Sequence, residues 1–246
     1  MKSITKVIYE GPSLYDGTPI VVLYQSESTN TKTGNMAQTF ILNAKIDPIT
    51  ANRTGQDKSI CGDCPHMGKP NSSAKGQATG RTCYVTLAHA PLGKFKAYIK
   101  GVYSKALGHD AIAALGAGQV IRLGTYGDPA AVPQYIWESL LSRSKSHTAY
   151  THGKVNPSPA TIMTSTESLP QAKQAWKRGE RTFRVLASVA SLSKGEILCP
   201  ASEEAGRKAT CLTCKLCGGA SVKSPKSVAI VAHGTSKRAA KALVQA

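Results

Sequence analysis

The spacing of hydrophobic positions changes part-way along this chain. "PIVVLYQ" (19–25) and "AQTFILNAKI" (37–46) are dense in β-branched and aromatic residues and predict two strands. Polar, Gly-containing "STNTKTGN" (28–35) between them predicts the connecting turn. From about Asp47 to Arg81 neither the strand nor the helix period is sustained, and the stretch reads as a long loop.

Beyond that loop, strands and helices alternate. Strands are predicted at "GQVIRLGTYGD" (118–128), "HTAYTHG" (147–153), "ATIMTST" (160–166), "RTFRVLASV" (181–189) and "KSVAIVAHG" (226–234). "PQYIWESLLSRS" (133–144) has helical periodicity through Tyr135, Ile136, Leu140 and Leu141. "SLPQAKQAWKRG" (168–179) reads as a helix ending at Gly179 with Lys177 and Arg178 in its last turn, and "TSKRAAKALVQA" (235–246) as a closing helix. Such alternation predicts an α/β fold, a complete or partial (β/α) TIM-like barrel, with sites at the C-terminal strand ends. We expect a single domain over 1–246, with a β-rich part at 1–60, a first cysteine loop at 61–83 that metal tethers, and a second cysteine group at 199–217.

Composition sharpens this picture. At 246 residues and 41% hydrophobic, the chain is long enough to bury a core without staples, and its 6% aromatic content makes that core mostly aliphatic. No stretch approaches the roughly 18 apolar residues of a membrane span, so no membrane partner is expected. The first residues carry no apolar signal region, and the expectation is a cytoplasmic protein with reduced thiols. There is no Walker loop, G-x-S-x-G, H-E-x-x-H or dinucleotide fingerprint. The formal charge of +17 points to contact with nucleic acid or another polyanion.

The seven cysteines form two groups. Cys61, Cys64 and Cys83 are written C-x2-C-x18-C, while Cys199, Cys211, Cys214 and Cys217 are written C-x11-C-x2-C-x2-C. Gaps of two residues let successive thiolates converge on one centre, as in ferredoxin cluster loops and zinc knuckles. Four thiolates can close a structural zinc or ligate one [4Fe–4S] cluster. Three leave a position open to substrate or water, unless His66 or His89 joins them. One or two [4Fe–4S] clusters are expected, with zinc the alternative.

The order of a cysteine-rich loop ending in "CY", a strand ending "RLGTYGDP", then "AWKRGERTFRV", "LCP…CLTCKLCGG" and a strand ending "AHG" resembles the phage proteins of the gene product 88 type. These are themselves distantly similar to radical S-adenosylmethionine enzymes. The resemblance spans roughly Cys61 to Gly234 and implies an iron–sulfur protein on a TIM-like barrel, encoded by a phage or prophage. The radical enzymes carry C-x3-C-x2-C. No three cysteines here have that spacing, so the resemblance extends to fold and cluster but not to S-adenosylmethionine.

Three further residues are candidates for chemistry. Asp128 follows a predicted strand and reads either as a general base or as a helix cap before Pro129. His152 and His233 also follow strands and can serve as ligands or acid–base groups. "KRGERTFR" and Lys237, Arg238 and Lys241 of the last helix supply charge that phosphates can meet. The expected function is redox or radical-type chemistry on a phosphate-bearing or nucleic-acid substrate. The alternatives are a zinc-stabilised nucleic-acid-binding protein without catalysis and a base-modifying, transglycosylase-like enzyme.

Overall fold

The two apolar runs near the N-terminus become the centre of the first sheet. In the computed structural model, which describes residues 3–73, 75–153 and 160–245, β1 (Thr5–Pro12), β2 (Pro19–Gln25) and β3 (Ala37–Asn43) pair antiparallel in succession. All of β3 is buried, as are Ile20 to Tyr24 of β2. Strands covered on both faces carry unbroken apolar runs, which is why these two were conspicuous in the sequence. β4 (Val120–Tyr126) then adds to β3 in parallel, and β5 (Ser146–Thr148) adds to β4 in parallel.

A second five-stranded sheet is parallel throughout. It runs β6 (Tyr150–Thr151), β7 (Met163–Thr166), β8 (Thr182–Leu186), β10 (Ser227–Val231) and β9 (Glu196–Leu198) in spatial order. Only Ala149 separates β5 from β6, so one extended segment leaves the first sheet and enters the second. The Ala149 amide donates to the carbonyl of Cys217 and its carbonyl accepts from Met163, both at 3.0 Å. The architecture is therefore mixed α/β, with two sheets rich in parallel pairs. Among the described residues no ladder joins β9 to β1.

Helices α1 (Pro48–Thr54), α2 (Lys58–Cys61), α3 (Ala90–Ile99), α4 (His109–Gly116), α5 (Gln134–Leu141), α6 (Leu169–Lys177), α7 (Cys211–Cys214) and α8 (Lys237–Leu243) complete the fold. The helices expected at 133–144, 168–179 and 235–246 are α5, α6 and α8, residue 246 lying outside the described residues. The stretch 47–81 is not the structureless loop its pattern suggested. Asp47 caps α1 by accepting from the amides of Ile49 and Thr50 at 3.0 and 3.1 Å, Pro48 opens the helix, and Gly55 closes it at φ 78°. Those are helix boundary signals, but the seven residues between them are too few to display a period. α3 was also missed: Pro91 is its one fully buried residue, and its apolar face, which packs Phe95 and Tyr98 on the core, is broken by Gly93 and two lysines.

Two arginines that the sequence offered as surface charge are structural. Arg184 on β8 forms a two-pronged pair with Glu196 on β9, at 2.7 and 2.6 Å, with side-chain exposures of 5% and 0%. Arg181 donates to the carbonyls of Leu216, Gly219 and Lys226 at 2.7, 3.0 and 2.8 Å and pins the chain on either side of Cys217. Removing one partner of a buried pair strands the other charge without water. Glu196→Ala is expected to cost about 3–5 kcal/mol in urea unfolding followed by circular dichroism. A cost below about 1 kcal/mol would place the pair with ordinary surface bridges.

Candidate metal centre

The first cysteine group is assembled by short-range turns and one closed loop. Cys61 ends α2, Gly62 turns the chain at φ 57°, and the Cys64 amide returns to the carbonyl of Cys61 at 3.2 Å. The intervening eighteen-residue gap to Cys83 is folded back on itself. Lys69 and Thr79 exchange backbone hydrogen bonds at 2.9 and 3.0 Å, and the His66 carbonyl accepts from both Thr82 and Cys83. Buried Asn52 fastens the base, donating to Asp57 and to the Met67 carbonyl and accepting from Ala78. Protein hydrogen bonds thus close this loop, in addition to whatever a metal would contribute.

The second group lies against the other sheet. Cys199 directly follows β9, and Cys211 and Cys214 bound the single turn of α7. Thr210 and Thr213 make a reciprocal cap that starts this turn. The loop between β2 and β3 buttresses it, with the carbonyls of Lys32 and Thr33 accepting from Cys211 and Leu212 at 3.2 and 2.9 Å. After Cys217 the chain needs Gly219 at φ +74°, since a Cβ there would come within 2.6 Å of the backbone of residues 160–162. Cys199 and Cys217 are buried and pack with Met163, Val228 and Ile230, so the group doubles as core.

Both groups open onto one cavity of about 400 Å³, lined by Cys61, Cys64, Cys83, Cys199 and Cys211. Cys199, Cys211, Cys214 and Cys217 also wall a smaller space beside it. The large cavity lies where parallel strands end. Asp128 follows β4 by two residues, His152 follows β6, and His233 follows β10 by two, and all three line it. Its basic members are Lys32, Arg81 and Arg122.

Asp128 fulfils the capping reading and also holds a neighbouring strand end. One carboxylate oxygen accepts from the Ala130 amide at 2.9 Å and the other from the His152 amide at 2.8 Å. Burial raises its pKa, against the pull of these two hydrogen bonds. His152 reaches Glu167 at 2.7 Å, and Glu167 follows β7 as His152 follows β6. Burial alone would raise the Glu167 pKa, but the hydrogen bond from His152 and the nearby His66 hold it down at about 2. His233 sits at the rim, 3.3 Å from the Lys32 ammonium and tilted against Tyr84.

His66 is buried in the cavity wall, whereas His89 is exposed at the start of α3 and does not join the first group. Sequence reasoning missed Glu167, Lys32, Arg122 and Tyr150. The rule that chemistry collects at parallel strand ends would have reached Glu167, which directly follows the predicted strand 160–166. Nothing local marks Arg122, an inward-facing β4 residue that donates to the Tyr84 hydroxyl.

Burial governs the electrostatics of the thiols. Burial pushes Cys61, Cys83, Cys199 and Cys211 above the ordinary cysteine value, and repulsion among neighbouring thiolates pushes the same way. Burial takes Cys217 to about 12, despite a hydrogen bond from the Tyr150 hydroxyl. These groups favour the neutral thiol on their own, and a bound cation reverses that preference.

Reactivity follows with a definite sign. A thiol at about 12 instead of near 9 has ~1,000-fold less thiolate at neutral pH, of which its greater nucleophilicity recovers only part. In metal-free folded protein, Cys217 is expected to react with a disulfide reagent at least about 30- to 60-fold more slowly than in the unfolded chain, the gap narrowing as pH rises toward that value. Mass-resolved labelling at several pH values measures this, and equal rates in both states would refute it.

Compared with known proteins, the chain matches no family model, no curated protein and no solved structure.

Proposed function

We propose that this chain is an iron–sulfur protein whose two cysteine groups flank one basic cavity and act there on a phosphate-bearing or nucleic-acid substrate. The observation that carries the reading is the shared cavity, onto which five cysteines from both groups open together with Lys32, Arg81 and Arg122. The donor set is wholly sulfur, which suits iron–sulfur clusters and zinc alike. Spacing favours the cluster. Four sulfurs on one zinc at ~2.3 Å would lie roughly 3.8 Å apart in a tetrahedron, whereas each thiolate of a cluster takes a different iron. Among the described residues, no three cysteine sulfurs lie within 4.8 Å of one another.

On this reading Cys199, Cys211, Cys214 and Cys217 hold one [4Fe–4S] cluster, and Cys61, Cys64 and Cys83 hold another with an iron left for an outside ligand. Such clusters supply one-electron transfer and, at an open iron, a Lewis-acid contact. The protein's own residues do the rest. Lys32 and Arg122 stand beside Cys211 and offset thiolate charge, and with Arg81 they give a phosphate three cationic partners. Tyr150 and Phe183, with ring centroids 4.3 Å apart, give the cavity an apolar wall against which a planar base can pack. We read the two sheets, joined through Ser146–Thr151, as an incomplete (β/α) barrel around that cavity, which agrees with the resemblance to gene product 88-type phage proteins.

Anaerobic purification with iron, sulfide and zinc analysis tests the proposal. Roughly four irons with matching sulfide mean one cluster and about eight mean two. Cys211→Ser is expected to remove the second cluster's share and leave the first. Zinc without sulfide overturns the iron–sulfur reading and leaves a zinc-stapled, polyanion-binding protein. Retention of single-stranded nucleic acid that weakens steeply with salt supports the substrate class, and retention indifferent to salt counts against it.

A further inference from the structure

Beside the first cysteine group, three side chains without a role in thiolate ligation aim at one point. One ring nitrogen each of His66 and His152 and one carboxylate oxygen of Glu167 all lie within 4.8 Å of one another. Glu167 Oε1 is 2.7 Å from His152 Nε2 and 3.6 Å from His66 Nε2. The first distance is a hydrogen bond, and the second is too long for one. His66 Nε2 is shut off from solvent and has no hydrogen-bond partner. Buried polar atoms are rarely left so unless something binds there.

The other edge of the His66 ring is already engaged. His66 Nδ1 lies 2.8 Å from the hydroxyl of Thr82. Donation of an Nδ1 proton to Thr82 would leave the Nε2 lone pair for an ion bound beside Glu167. His152 is set by the hydrogen bond that its backbone N–H donates to Asp128, and its side chain also meets Cys64. Metal-ligating histidines carry this outer shell, one nitrogen bonded to a neighbour and the other kept for the ion. The three residues come from separate elements: the 3-10 turn Pro65–Met67 and the ends of β6 and β7.

We propose that His66, His152 and Glu167 bind one divalent transition-metal ion, distinct from whatever the seven cysteines hold. Two imidazoles and a carboxylate form a harder set than thiolates, fitting Fe(II), Mn(II) or Zn(II). Donors at about 2.0–2.2 Å on one face of an ion stand roughly 3 Å apart, a value that the 2.7 and 3.6 Å separations bracket. Because His66 and His152 line the large cavity, the ion would sit in its wall, beside the space where a substrate would lie.

Cobalt(II) reads the site by difference against the cysteines. The purified chain is dialysed against EDTA and titrated anaerobically with Co(II), and retained metal is counted after gel filtration. The expected result is one more retained equivalent in wild type than in Glu167→Gln, over whatever the cysteines take up. Its affinity is expected to fall at least ~10-fold in Glu167→Gln and in His66→Ala, as loss of one ligand or its support does at metal sites. Should His66→Ala lose its native circular dichroism, the near-isosteric Glu167→Gln carries the test. Cobalt retained equally by wild type and Glu167→Gln, or not retained by wild type, overturns the proposal. Sulfide and iron contents, which judge the cluster reading, do not enter this readout, so either reading can fail alone.

Discussion

Parallel pairing dictates that neighbouring strands finish on the same edge, and the site of this protein depends on that constraint. From β3 to β10, counting β5 and β6 as one segment, seven strands are joined by parallel pairs, and β3 is antiparallel only to β2. The chain therefore leaves β4, β6, β7, β9 and β10 in the order Asp128, His152, Glu167, Cys199 and His233, each within two residues of its strand. Side chains more than a hundred residues apart in sequence meet without any local motif to bring them together.

The cysteines lie along that edge on segments tied down by the protein's own hydrogen bonds. Asn52 and the Lys69–Thr79 bridge return Cys83 to Cys64, while Arg181 and the β2–β3 loop hold the segment around Cys211 to Cys217. A preformed site lowers the ordering cost that a metal must otherwise offset. It also gathers thiols whose burial and mutual repulsion oppose ionisation, so on its own the protein keeps them neutral.

The positive charge divides by location. Arg181 and Arg184 are spent inside, on backbone carbonyls and on Glu196, and Arg178 answers Glu180 at the surface. Lys32, Arg81 and Arg122 remain at the cavity, the last held against Tyr84. A formal charge of +17 thus overstates the surface available to a polyanion, while the part that matters for a bound substrate is concentrated beside the thiols.

The residues by themselves determined the elements whose signal is local. The buried strands β2 and β3, the strands β4 and β8, the helices α5 and α6 and the clustering of the cysteines all rest on spacings of two to four residues, and those survive in a one-dimensional reading. Short capped α1 and half-buried α3 did not, because a helix of seven residues or one with a single fully buried position carries a weak period. Tertiary structure alone decided that both cysteine groups share one cavity, that Arg181 and Arg184 are internal, and that Glu167 meets His66 and His152. Each of these depends on which strands pair, and strand pairing is fixed by packing between distant segments instead of by the residues adjoining any one of them.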